Sequence, residues 1–119
     1  MTSTLRALLT AALIAGATAA LAASSSMPTQ YEPDPALKTA SMSELRARVS
    51  QACAIIQAKQ QGVAESAVSQ KCGCYAGRTM RALSADEVRA YRETGVFNDS
   101  AREKALAALD SCKLPRPRI

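Results

Sequence analysis

Cys72 and Cys74 stand one residue apart in the stretch Lys71-Cys-Gly-Cys-Tyr-Ala-Gly-Arg78, and Arg81 follows three residues later. On a helix, Lys71, Arg78 and Arg81 share the side of Cys74. A free thiol there would have its pKa lowered by the positive field and would favour thiolate. Such a pair could exchange disulfides, or hold Cu(I) or Zn(II) through soft sulfur ligands, with Met42 and Met80 as the thioethers nearest in the helical body. The alternative chemistry is covalent stapling. Residues two apart on a helix point about 200° away from each other, so the two sulfurs reach different neighbours more readily than they reach one another.

The other two cysteines favour stapling. Cys53 and Cys72 are centred on the Gly62-Val63 pair, so an antiparallel hairpin turning there brings them into register. That predicts Cys53–Cys72, with Cys74–Cys112 closing the rest of the chain back onto the second helix. The crossed pairing, Cys53–Cys74 with Cys72–Cys112, moves the hairpin centre by one residue and stays open. No C-x-x-C motif is present, and zinc sites space paired cysteines by two to four residues. Two structural disulfides are therefore expected, with neither metal nor cofactor.

Other chemistry lacks its parts. The chain has no histidine, which removes Ser-His and Cys-His nucleophilic pairs and histidine metal ligands. Asp86-Glu87 is the one adjacent carboxylate pair. It falls in the first turn of an expected helix, where acids complement the dipole. There is no Trp and one Phe, with Tyr31, Tyr75 and Tyr91 scattered, so single-stranded nucleic acid finds no stacking platform. Arg89 and Arg92 alternate with acids and read as a solvated face. An enzymatic activity is not expected.

The elements that hold the cysteines read as helices throughout. Ser41 and Glu44 form a capping box that opens a first helix over residues 42–60, with Leu45, Val49, Ala52, Cys53 and Ile56 on its inward stripe. A second helix over 64–83 carries Val68, Cys72, Ala76, Thr79 and Leu83 inward. Gly73 and Gly77 weaken it by about 1 kcal/mol each, which a close helix contact or a disulfide should offset. Ser84 and Glu87 repeat the capping box for a third helix over 85–94. Gly95 ends it, and Val96 is placed to fold back on Tyr91. A fourth helix runs from Asp99 to about Cys112, before Pro115. The expected fold class is thus all-α: a small bundle of three to four helices, a helical hairpin plus two shorter helices, stapled by two disulfides over residues 41–113.

The flanks predict destination. Arg6 precedes an apolar run from Ala7 to Leu21, and Ala20-Leu21-Ala22 matches an A-x-A cleavage pattern, so residues 1–22 read as a secretory signal peptide. Residues 23–40, rich in Pro and Ser, read as a flexible lead-in. Residues 114–119 read as a short basic tail, in which Arg116 and Arg118, with Lys113 just before it, are candidate surface contacts. An even cysteine count in a short exported chain indicates a disulfide framework, and the composition suits a bacterial periplasm or secretion. The net charge of +5, reduced by one when Arg6 leaves, supports weak attraction to anionic surfaces.

Three functional classes follow. The first is a periplasmic accessory or inhibitor-type domain that binds another protein of the cell envelope. The second is a thiol-disulfide or Cu(I)/Zn-handling protein using the C-x-C pair. The third is an envelope-surface binder working through its basic residues, with membrane contact at most peripheral.

Overall fold

A computed structural model describes residues 32–118; the expected leader and the first part of the lead-in lie outside the described residues. Four α-helices and no strand are present among those described: α1 Met42–Gln61, α2 Glu65–Ala82, α3 Ala85–Thr94 and α4 Asp99–Ser111. A 3-10 turn, Pro35–Lys38, precedes them.

Local chemistry sets each boundary. Glu44 N–H donates to Ser41 Oγ at 3.1 Å and Ser41 N–H donates to the Glu44 carboxylate at 3.0 Å, so both capping-box bonds form. Gly62, at φ 66°, ends α1 in the left-handed conformation, where a side chain would be strained. Ser84 and Glu87 close a second capping box on α3, and Gly95 at φ 73° ends it. Asn98 accepts from Ala101 N–H at 3.0 Å and starts α4.

α2 is the central element, packed against α1 on one side and α4 on the other, while α3 packs against the 3-10 turn. Its inward residues Val68, Cys72, Ala76 and Thr79 are buried, and Leu83 is partly so. One apolar cluster joins Leu37, Leu45, Val49, Met80 and Tyr91; a second joins Cys53, Ala58, Val68, Cys72, Leu109 and Leu114. The Thr79 hydroxyl is buried without a hydrogen-bond partner among the described residues.

Five expectations change. The lead-in is folded from Asp34 onward: Leu37 is only 2% exposed, and Arg92 donates to Leu37 O at 2.9 Å and to Ala40 O at 2.6 Å. Arg92 is thus a tie between α3 and the turn, not part of a solvated face. The tail is strapped down as well. Leu114 is buried, Gln57 Nε2 donates to Pro115 O at 2.7 Å, and Gln60 bonds Arg116 O at 3.2 Å and Arg118 N at 3.0 Å. That strap turns the buried face of α1. Ala54, Gln57 and Ala58 go inward, while Ala52 and Ile56 from the expected stripe are exposed. Finally, Phe97 and not Val96 packs on Tyr91, with ring centroids 5.1 Å apart.

Of the two compensations expected for Gly73, the flanking disulfides are present and the close helix contact is not. A Cβ there meets nothing within 4 Å, so no close helix approach requires glycine. The expected outcome of Gly73→Ala is a gain of about 1 kcal/mol from helix propensity, with no packing cost. Urea unfolding of the oxidised chain should show a higher midpoint and an unchanged slope.

Candidate functional site

The C-x-C pair is divided between two bridges. Cys53 bonds Cys72 with Cα atoms 5.6 Å apart, and Cys74 bonds Cys112 with Cα atoms 6.0 Å apart. These are the uncrossed pairings, and no cysteine is free. The angular reason holds: Cys72 is wholly buried against α1, whereas Cys74 is on the exposed side of α2. Among the described residues, no three His, Cys, Asp or Glu side chains gather as metal ligands would.

The adjacent carboxylates also diverge. Asp86 pairs with Arg89 at 2.9 Å on the surface. Glu87, with a side chain 5% exposed, pairs with Lys104, accepts from Ser84 N–H at 2.8 Å and accepts from Ser100 Oγ at 2.9 Å. These contacts, the Lys104 bond first, lower its pKa from 4.5 to about 2. A lowered folded-state pKa means that the native state gains from ionised Glu87 at pH above the unfolded value. That gain is lost as pH falls through the window from 4.5 to about 2. Glu87→Gln is expected to lower the melting temperature at neutral pH and to flatten its fall across this window, read by thermal unfolding at stepped pH.

Of the expected surface residues, Lys113 is exposed at φ 58°, where the chain turns out of α4. Arg116 is held by Asp110 through Nη2–Oδ2 at 2.8 Å and Nε–Oδ1 at 3.3 Å. Its guanidinium keeps the Asp110 carboxyl below the ordinary carboxylate range. Arg118 is tied through its backbone to Gln60. The three do not converge on one site.

The feature that does converge is an apolar cleft of about 290 Å³ between α1, the α3–α4 connection and the tail. Ile56, Val96, Phe97 and Pro117 form its walls, and Tyr75 and Leu109 lie deeper. Ile56 is 49% exposed and Val96 57% exposed. Arg102 is the one charged residue in the lining, and its side chain makes no ion pair among the described residues. Burial raises the Tyr75 phenol pKa. The nearby Thr79 hydroxyl opposes that rise without reaching hydrogen-bond geometry. Tyr75 is therefore a neutral phenol beside the cleft, unsuited to act as a base at ordinary pH.

Sequence reasoning placed Ile56 and Phe97 in the core and left Arg102 without a role. Three chain segments far apart in sequence meet here, so no local pattern marks the cleft. Compared with protein-family models, curated proteins and solved structures, the chain shows no match.

Proposed function

We propose that this chain is an exported, disulfide-stapled binding module that takes an apolar segment of another envelope protein into the cleft, by contact alone. The observation that carries this reading is an open apolar cleft whose single charged lining residue, Arg102, makes no ion pair among the described residues. Its volume is at the small end of ligand pockets, which span about 300–1,000 Å³, and suits one or two side chains better than a cofactor. The fitting partner segment presents two neighbouring aliphatic or aromatic side chains followed by a carboxylate for Arg102.

Export is supported by the leader pattern and by two disulfides in a small domain. Thiol or copper chemistry at the C-x-C pair is disfavoured because both sulfurs are committed to different bridges. A surface role for the tail is disfavoured because the strap and Asp110 already hold it.

Short peptides test the reading. Acetylated tetrapeptides with two apolar residues followed by Glu are expected to shift the amide NMR signals of Ile56, Val96 and Phe97. Peptides with Lys in place of Glu should bind more weakly, and Arg102→Gln should erase that difference. Absence of cleft-centred shifts across all aromatic and aliphatic combinations overturns the reading.

A further inference from the structure

A second surface shares no residue with the apolar cleft. Two shallow hollows lie on the α1 side of α2, lined by Ser43, Arg46, Gly73, Gly77 and Arg81 among others, and they share Ser43 and Arg46. A third lies on the α4 side, between Arg78 and Arg81 of α2 and Lys104 of α4. Arg81 borders hollows on both sides, so the surface is continuous across the outer ridge of α2.

Its charge is of one sign. No lining residue of the three hollows is acidic. The sole acid of α2 is Glu65, in its first turn, three helical turns or more from Arg78. Lys104 is matched by Glu87, but the side chains of Arg46, Arg78 and Arg81 have no hydrogen bond or ion pair among the described residues. Most of the other lining residues are Gly, Ala and Ser, with Met42 and Met80 bordering one hollow. At Gly77 an Arg81 guanidinium nitrogen comes within 3.5 Å of where a Cβ would sit.

Guanidinium groups present a planar fork that matches carboxylates in bidentate fashion. Three of them, unneutralised along a furrowed surface lined mostly by Gly, Ala and Ser, favour an extended chain bearing several carboxylates. A bilayer is a poorer fit. Surface-binding helices set basic residues beside an apolar face that enters the lipid. Of the exposed large apolar residues, Met42 alone borders these hollows. We infer that the outer face of α2, through Arg46, Arg78 and Arg81, docks an acidic, extended segment of a partner protein. This site is independent of the cleft and stands or falls separately from it.

The test titrates the oxidised full chain into a fluorescein-labelled peptide of alternating Glu and Gly, and into its Gln-Gly counterpart. Binding to the Glu peptide is expected, with amide shifts at Gly73 and Gly77. Affinity should fall as ionic strength rises and the Debye length shrinks from about 30 Å to about 8 Å. Replacing Arg46, Arg78 and Arg81 together by Gln should weaken binding about tenfold. Replacing Lys38, Lys59 and Lys113 by Gln removes the same charge elsewhere and should change it by less than about twofold. All six residues are exposed, and circular dichroism checks that both variants remain folded. Equal affinity for the Gln-Gly peptide overturns the proposal, as does equal loss in the two triple variants. Arginine-dependent sedimentation with phosphatidylglycerol vesicles, without binding of the Glu peptide, also overturns it and assigns the face to lipid headgroups.

Discussion

Reduction of both disulfides is expected to unfold this domain at neutral pH. A bridge stabilises by restricting the unfolded chain, and the separations of 19 and 38 residues correspond to about 3 and about 4 kcal/mol. Together these approach the whole net stability of about 5–15 kcal/mol expected of a small domain. The core cannot compensate. Of the described residues with less than 2% exposure, Leu45 is the only large aliphatic; the other large ones are Gln57, Thr79 and Cys72. Cys53→Ala with Cys72→Ala also removes sulfur from the second apolar cluster, which adds a packing loss to the entropic one. Cys74→Ser with Cys112→Ser acts differently. Cys74 is exposed, but Cys112 anchors the end of α4 from which the tail continues along α1. Its loss should release the Pro117 wall and weaken cleft binding while α1 and α2 remain paired. Urea unfolding of each variant, followed by far-ultraviolet circular dichroism, gives the two losses. A fully reduced chain with a cooperative transition near the oxidised midpoint would remove the argument for covalent stapling.

Helix boundaries were legible because their causes are local. Ser41 with Glu44, Ser84 with Glu87, Gly62 and Gly95 each act within one turn, and α3 starts and stops where those residues predict. A preference for Cys53–Cys72 was legible because one turn at Gly62 sets the register of α1 against α2, but the crossed pairing, one residue out of register, stayed open until the bridges were seen. Contacts between distant segments were not legible. The Gln57–Pro115 bond joins residues 58 apart, and no periodicity distinguishes a buried glutamine from a solvated one. Leu37 falls in the segment that reads as a flexible lead-in. Its burial depends on Arg92, which reaches back from α3 to satisfy the carbonyls that the turn leaves open. The cleft was hidden for the same reason. Ile56 continues the helical stripe that includes Leu45 and Cys53. Only the path of the strap, over Gln57 and Gln60, decides that this last member faces an opening and not the core.

Leu45 and Ile56 therefore share one stripe in sequence and separate in structure, and paired substitutions measure the separation. Leu45 is fully buried among Leu37, Val49, Met80 and Tyr91, in the cluster that joins the 3-10 turn to α1, α2 and α3. Leu45→Ala removes the burial of its methyl groups and leaves a cavity in a core with few large side chains to collapse into it. A loss of roughly 3 kcal/mol is expected, and the disulfides do not relieve it because they act on the unfolded chain. Ile56, being 49% exposed, has given up much less water. Ile56→Ala should stay within about 0.5–1 kcal/mol of the parent chain while weakening the binding of apolar peptides. Thermal unfolding of the two variants, with peptide titration of the second, reads both quantities. If Ile56→Ala destabilises as much as Leu45→Ala, then Ile56 belongs to the core and the cleft loses a wall. If it leaves both stability and peptide affinity unchanged, the opening beside it is not a binding site.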